Sequence, residues 1–499
     1  MGSEHRRRGA RDECSAEDRR DHGADHRVRR RSSPPRRVSS AGQDADSTGK
    51  RIVLGVSGGI AAYKACELLR RLRSLGHDVT VVPTAAALTF VGSATFEALS
   101  GNPVSGDVFT DVPDVRHVSV GQRADLVIVA PATADLLARA AAGLADDLLT
   151  ATLLVTRAPV LMAPAMHSEM WSHPATVANV RMLRSRGVTV LPPAVGRLTG
   201  ADSGPGRMAE PEHLAQLAQL VLHPTFAHRP ALPFDLDGRR IVVSAGGTRE
   251  ALDPVRFLGN RSSGRQGYAI ALVAAARGAD VTLIAANTSL ADPPAVEVRR
   301  VVSAADLQRA VKDAARQADA VVMTAAVADF RPAEVAEHKI KKVADSEPAV
   351  LELVQNPDVL AGLVADRGAS RMPVIAGFAA ETGDATTSPI EFGLQKLARK
   401  GCDLLVVNQV GHTGGFESDD NAAVILSSGG ILSSGAPDST EMAAVEVPFG
   451  PKTALAAAVC DSIVTALNAA KATGTGQRSD NLSTPKTHVR QANPQGASP

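Results

Sequence analysis

The sequence predicts an α/β protein with two doubly wound, Rossmann-like domains in series, and three observations predict it. Short β-branched runs alternate with longer Ala/Leu-rich segments of helical spacing, the pattern of βαβ units around a parallel sheet. That pattern stops once, near residue 235, and then restarts. The chain has 499 residues, room for two to four cores at roughly 100–200 residues each.

The elements follow in order. Residues 1–50 hold 13 Lys+Arg and 9 Asp+Glu with almost no large apolar side chains, whereas 51–499 hold 41 and 44. So little apolar surface cannot offset chain entropy, so 1–49 reads as a disordered basic tail. A tether to RNA or acidic lipid competes there with a solvated tail or an over-extended start. Strands are expected at 51–57, 78–83, 125–131, 159–164 and 187–192, one domain over 50–228. A Pro- and Asp-rich linker occupies 229–238. Strands resume at 240–247, 280–286, 319–326, 373–381 and 402–408, a second domain over 239–468. The Ser/Thr/Gln/Asn/Pro-rich residues 469–499 read as a second frayed terminus.

Composition excludes several function classes. The net charge is +1, aromatics are 3% and there is one Trp, so the electrostatic footprint and stacking platforms of a nucleic-acid binder are missing. Cys14, Cys66, Cys402 and Cys460 are scattered, which argues against a disulfide framework or a Cys-rich zinc site and fits a reducing cytoplasm. No run of about 18 consecutive apolar residues and no signal-type apolar region is found, so no membrane partner is expected.

Gly-rich turns carry the chemistry. GVSGGIAAYK (55–64) leaves a buried strand and enters a helix, where free amides favour a phosphate. Ser57 stands where a dinucleotide fingerprint needs its second glycine, and the second strand ends in Pro83-Thr84 instead of an acid for an adenosine ribose. Both disfavour NAD; the bland alternative is a tight turn without ligand. His117 precedes the third strand and is a surface, core or basic residue by itself. PATAD (131–135) and PAMHSEMW (164–171) follow strand ends, where open α/β sheets bind ligands. Met166, Met170 and Trp171 read equally well as core packing. GRLTGADSGPGRM (196–208) is too rich in glycine to be an element and reads as a mobile flap.

In the second half, SAGGTRE (244–250) and LDPVRFLGNRSSGRQG (252–267) mix small residues with Arg and Asn, suiting a phosphorylated acid held against a nucleotide. KIKK (339–342) and the pair Lys396 and Lys400, one helical turn apart, can clamp a polyphosphate. A solvated lysine face is the plain alternative.

These motifs, in this order over about 50–468, resemble the bifunctional phosphopantothenoylcysteine decarboxylase / phosphopantothenate-cysteine ligase family of coenzyme A synthesis. The resemblance implies a flavodoxin-like flavoprotein domain followed by a nucleotide-binding ligase domain. It implies FMN held by Ser57, Gly58, Gly59, Thr84, Thr133 and Asp135, with His117 and His167 catalytic and Arg207 contacting substrate. For the ligase it implies activation of 4'-phosphopantothenate by CTP as an acyl-cytidylate, which the amine of cysteine then attacks. Asn260 and Lys339 are catalytic in that carry-over; Arg256, Asp329, Pro357, Asp358, Val359, Leu360, Phe378, Lys396 and Lys400 line the substrate site. Mg²⁺ is expected with the triphosphate, its ligands unassigned, and a homo-oligomer, a dodecamer by resemblance, is implied. Two departures stand out: the family's asparagine of PAMN is His167, and its flap cysteine is Gly200. Another group or water must then supply the last proton, with Asp202, Ser203 and His167 as candidates, unless the reaction stops at the enethiol. The alternatives are a flavoprotein regulatory or binding module with lost or partial activity, and a dinucleotide-dependent oxidoreductase.

Overall fold

A computed structural model describes residues 49–104, 116–198, 202–226, 229, 232–341, 350–381, 388–409, 420–428 and 443–476. The basic tail, Lys342, Gly200, most of residues 414–421 and most of the C-terminal tail lie outside the described residues.

The N-terminal half is built on β1 (Arg51–Val56), β2 (Asp78–Pro83), β3 (Leu126–Ala132), β4 (Val160–Pro164) and β5 (Thr189–Val190), all parallel in the order β2-β1-β3-β4-β5. This is the flavodoxin-like order, with its switch point between β1 and β3. Helices α1 (Tyr63–Ser74), α2 (Ala85–Leu88), α3 (Ser93–Ser100), α4 (Arg116–Arg123), α5 (Ala134–Ala142), α6 (Leu148–Val155), α7 (Ser168–Ser172) and α8 (Pro174–Ser185) cover the sheet. Their faces decide the packing. Leu68, Leu69 and Leu72 of α1 are fully buried, each contributing about 1.5–3 kcal/mol. The exposed Arg71–Glu67 pair on the same helix contributes only about 0.3–0.5 kcal/mol.

Two strands were not expected here. The glycine-rich segment forms an antiparallel ribbon, β6 (Ala194–Arg197) with β7 (Ser203–Arg207), before α9 (Pro211–Leu222). The expectation of a flap without secondary structure is therefore corrected. Its glycines serve close approach: a Cβ on Gly206 would lie 2.2 Å from the Met166 carbonyl oxygen, and Met166 N donates to Gly206 O at 3.0 Å.

The C-terminal half holds β8 (Arg240–Gly246), the short pair β9 (Arg249–Ala251) and β10 (Phe257–Gly259), α10 (Arg265–Ala276), β11 (Asp280–Ala286), β12 (Val296–Val301), α11 (Ala304–Ala315) and β13 (Ala320–Met323). It continues with the pair β14 (Phe330–Pro332) and β15 (Leu353–Gln355), α12 (Val359–Arg367), β16 (Val374–Glu381), α13 (Pro389–Lys400), β17 (Leu404–Gln409), β18 (Asp420–Ser427), β19 (Ala443–Pro451) and α14 (Lys452–Gly476). The sheet runs β12-β11-β8-β13-β16-β17-β18-β19, parallel through β17 and antiparallel for the last two. Five of these strands were expected; β12, β18 and β19 extend the sheet beyond them.

Residues 452–471 of α14 are apolar and long enough to cross a membrane by length and composition, yet 61% of that apolar window is buried inside the protein. Helix α14 packs on the alanine-rich α10, where residues from Gly267 to Ala276 are all buried. Arg277, 1% exposed, ties the linker to this pair: its guanidinium bonds Asp235 at 2.7 Å and Asp461 at 2.8 Å. Burial opposes that charge, and the carboxylates raise its pKa above the ordinary value nonetheless.

Candidate active sites

In the N-terminal half the carboxyl ends of β1, β2 and β3 converge. Ser57 is buried, and its hydroxyl ties two strand ends together: Oγ donates to Pro131 O at 2.8 Å and accepts from Thr133 N at 3.0 Å. The next residue has no room for a side chain. A Cβ on Gly58 would lie 2.4 Å from Ala86 Cβ and 2.7 Å from the Ala86 carbonyl carbon. Thr84 and Thr133 cap α2 and α5, accepting from Ala87 N at 3.2 Å and Leu136 N at 3.3 Å. The turn at Ile60–Ala62 that opens α1 has no side-chain cap, which leaves its first amides for an anion.

Two adjoining cavities use these parts. The larger, about 1010 Å³, is walled by Ser57, Gly58, Thr84, Thr133 and Asp135 among others. The smaller, about 440 Å³, is walled by Gly58, Gly59, the α1 turn, His167 and the ribbon residues Arg197 and Arg207. Gly58, Thr133, Ala134 and Met170 belong to both. All six expected cofactor residues thus border one continuous region.

Charge is arranged differently in the two cavities. In the larger, Arg139 holds Asp135 at 3.1 Å, Asp146 at 3.0 Å and Asp147 at 2.8 Å. Burial works against the Arg139 charge, but those carboxylates overcome it and raise its pKa. In the smaller, Lys64 Nζ donates to Glu210 Oε1 at 2.8 Å and to Met208 O at 3.4 Å, and Arg207 shares the same Glu210 oxygen at 3.2 Å. The Lys64–Glu210 pair was missed in sequence. Its signal was a lysine buried along the otherwise apolar face of α1.

His117 opens α4, which packs on α6, and its Nδ1 is buried with no hydrogen-bond partner. It lies outside the walls of both cavities. Asp202 and Ser203 are exposed and also outside them.

The C-terminal half gathers its polar groups at the switch point between β8 and β13. Ser244 Oγ accepts from Thr324 N and Ala325 N, both at 3.1 Å, and the Thr324 hydroxyl donates back to Ser244 O. Asn260 Nδ2 donates to Val327 O at 3.0 Å. Asn356, buried, donates from Nδ2 to Ala328 O at 2.9 Å and from its backbone to Asp329 O at 2.7 Å. Asp358 caps α12 through Ala361 N at 3.0 Å, and its other oxygen takes the Lys400 ammonium. Asn260, Asp329, Pro357, Asp358 and Lys400 therefore share one edge, with Lys396 one turn earlier on α13. Val359 is core, and Leu360 lies under Gly377 beside the half-buried Phe378.

Lys339 is carried by a separate strap. Arg256 Nη2 donates to Ile340 O at 2.6 Å and pairs with Asp253 at 2.6 Å, while Ile340 N donates to Asp253 Oδ2 at 3.2 Å. Burial pushes the Asp253 carboxyl up, but the Val255 amide and the Arg256 amide and guanidinium hold it well below the usual range. Arg256, expected to touch substrate, is thus engaged in holding the strap. Among the described residues, no group of three or more His, Cys, Asp or Glu stands ready for a metal.

Residues 40–223 match the Flavoprotein family, and residues 236–467 match the DNA/pantothenate metabolism flavoprotein C-terminal domain. The coenzyme A biosynthesis bifunctional protein CoaBC of Mycobacterium tuberculosis (strain H37Rv) is 59% identical over 422 residues, 84% of this chain and 97% of that protein. The protein of the same description from Escherichia coli (strain K12) is 44% identical, over 75% of this chain and 90% of that one. The chain belongs to the CoaBC family of bifunctional coenzyme A biosynthesis proteins. A solved C-terminal domain of a CoaBC protein shares 34% identity, covering 47% of this chain and 98% of that domain, with a TM-score of 0.37.

CoaBC membership makes the N-terminal half the flavoprotein decarboxylase part and the C-terminal half the ligase part. The expected enzyme class and the expected pair of α/β units both stand.

Proposed function

We propose that the C-terminal half joins 4'-phosphopantothenate to cysteine at the expense of CTP, and that the N-terminal half decarboxylates the product with FMN to 4'-phosphopantetheine. The observation that carries this reading is the presence of two built ligand edges, each at the carboxyl ends of parallel strands. One is walled by Ser57, Gly58, Thr84 and Thr133; the other is drawn together through Asn260, Asn356, Asp358 and Lys400. The domain division proposed is 50–228 and 239–468, joined by 229–238.

The ligase chemistry needs charge control more than covalent help. The acid's carboxylate attacks the α-phosphorus of CTP, pyrophosphate leaves, and the cysteine amine then displaces CMP from the acyl carbon. Lys339, Lys396 and Lys400 supply positive charge for the triphosphate. The N-terminus of α12, opened by Pro357 and Asp358, and the ring of Phe378 border the nucleotide. Asn260, held by Val327 O, steadies the acyl-cytidylate. Mg²⁺ enters with the nucleotide, since such ions keep phosphate and water ligands.

The residues of the flavoprotein half fit FMN: the uncapped α1 turn suits its phosphate, and Gly58, whose missing Cβ lets it pack against Ala86 of α2, borders both cavities beside that turn. Bound there, FMN supplies a two-electron acceptor that makes loss of the neighbouring carboxylate facile. Thr84, Thr133 and Asp135 orient it in the larger cavity, and Arg207 holds the substrate in the smaller. His117 moves the thiol proton. Its place outside both walls fits a site completed by another copy of the chain in a homo-oligomer, a dodecamer in the present reading.

The test uses the purified protein with CTP, Mg²⁺, phosphopantothenate and cysteine. Expected are a yellow protein releasing FMN on denaturation, CTP-dependent pyrophosphate release and a product with the mass of phosphopantetheine. A colourless protein, or pyrophosphate release independent of cysteine-ligated product, would overturn it.

A further inference from the structure

We propose that Thr248 is a positioning residue of the ligase site, whose hydroxyl aims the Asn260 amide through a single shared peptide unit. This rests on the ligase reading above, in which Asn260 steadies the acyl-cytidylate.

The shared unit joins Val327 to Ala328 in the loop after β13. Its carbonyl, Val327 O, accepts from Asn260 Nδ2 at 3.0 Å. Its amide, Ala328 N, donates to Thr248 Oγ1 at 2.9 Å. A peptide is planar and close to rigid, so its two polar ends cannot be aimed separately. Thr248 is fully buried and Ala328 is 3% exposed, which leaves the amide no solvent to turn to if the hydroxyl is removed. A buried N–H without an acceptor is costly, and the plane would rotate to recover one, carrying Val327 O away from Asn260.

The hydroxyl is not needed to hold the two chain segments together. Backbone bonds already do that: Ala326 N donates to Gly246 O at 2.8 Å, and Thr248 N donates to Ala326 O at 3.2 Å. The backbone of Asn260 is placed from the same side, since a Cβ on Gly247 would lie 2.6 Å from Asn260 O and one on Gly259 2.6 Å from Thr248 O. What the hydroxyl adds is the direction of the side chain. With one N–H spent on Val327 O, Asn260 has its second N–H and Oδ1 to offer a ligand, and the aim of both follows from that one bond.

The nucleotide edge is tied to the same loop by a different group. Asn356, which directly precedes Pro357 and Asp358, donates from Nδ2 to Ala328 O at 2.9 Å. That clasp does not pass through Thr248, so nucleotide binding is expected to survive loss of the hydroxyl while amide formation does not.

The experiment compares wild-type holoenzyme with Thr248→Val, which keeps the shape and lacks the acceptor, and Thr248→Ser, which keeps the acceptor. Measured are first-turnover pyrophosphate, amide formation with cysteine, acyl-cytidylate by mass, and KM for CTP. For Thr248→Val, first-turnover pyrophosphate and KM are expected within about two-fold of wild type, with amide formation lowered about ten-fold and acyl-cytidylate accumulating. Thr248→Ser is expected to restore amide formation. Because Thr248 acts through Asn260, adding Thr248→Val to Asn260→Ala should change amide formation by less than about two-fold. A wild-type rate in Thr248→Val overturns the proposal, as does a serine variant as slow as the valine one. Pyrophosphate lost in parallel with amide, or full additivity in the double variant, also overturns it. If Thr248→Val does not fold, Thr248→Cys, whose thiol is a weak acceptor, is expected to show the same loss in smaller measure, and a wild-type rate in it overturns the proposal. Wild-type enzyme that releases no pyrophosphate from CTP and phosphopantothenate removes the ligase reading itself. An active wild type with unaffected variants removes only the role of Thr248.

Discussion

The two ligand edges are built on the same strand-turn-helix plan and differ in how closed they are. At the flavoprotein edge Ser57 is 1% and Thr84 5% exposed, hydroxyls cross-link strand ends, and a glycine is pressed against α2. At the ligase edge Asn260, Asp329 and Lys339 are exposed, and the lysine rides on a strap held by one buried aspartate. A cofactor kept through many turnovers is served by a cradle that needs no rearrangement. A nucleotide that arrives and leaves as fragments needs an edge that opens.

The strongest way to break this contrast is Gly58→Val. With 2.4 Å to Ala86 Cβ already too short for a methyl group, the variant is expected to retain less than about a tenth of its flavin, a loss of the scale overpacking produces. CTP-dependent pyrophosphate release should stay within about two-fold of wild type. Flavin absorbance per chain and a pyrophosphate assay read both arms; equal loss of both would show that the edges are not independent. Next in size is Asn260→Asp, which replaces an amide donor with a negative charge at the place proposed above for the acyl-cytidylate. Amide formation is expected to fall about 100-fold with acyl-cytidylate accumulating by mass, while the flavin spectrum is unchanged.

A smaller effect is expected at the strap. Asp253→Asn removes the charge that accepts from Val255 N, Arg256 and Ile340 N, so kcat/KM for CTP should fall roughly ten-fold, about 1.4 kcal/mol. Because the Asp253 carboxyl is depressed in the fold, its contribution is fully present above the unfolded value near 4 and is lost only as pH falls through the folded one. Ligase activity that is unchanged in Asp253→Asn would show that the strap does not position Lys339.

Much of this plan was legible because parallel strands buried on both faces read as continuous apolar runs: β1, β3, β8 and β13 have buried interiors and were all located. What escaped was edge structure. In β12 charged residues interrupt the valines, and β19 is exposed along most of its length, so neither gives the apolar run of a central strand. The ribbon escaped because Gly204, Pro205 and Gly206 carry no strand propensity; their pairing is imposed by the loop they press against. The turn at Ser57 was legible as glycines following a buried strand, whereas Asp358 was named by the family resemblance alone. The engagement of Arg256 with Asp253 was not legible, because a local ion pair has no spacing that separates it from a substrate-binding arginine.

The smallest expected effect concerns the joint between the halves. His213 of α9 is 6% exposed, borders a cavity of about 410 Å³ with Arg265, Tyr268 and Lys452 of the C-terminal half, and has Nδ1 without a hydrogen-bond partner. Burial lowers its pKa; Glu212, Glu210 and Asp292 and a backbone contact at Ala291 oppose that without reversing it. A histidine depressed in the fold binds fewer protons there than in the unfolded chain, so stability rises with pH and is lost as pH falls below about 6.5. His77 and His223 are shifted the same way and contribute equally to wild type and variant, so the difference isolates one residue. Between pH 7.5 and 5.5 the melting temperature of the wild type is expected to fall by a few degrees more than that of His213→Gln, read by differential scanning calorimetry. Equal slopes would place the acid sensitivity outside the joint, leaving α9 as neutral packing between the closed edge and the open one.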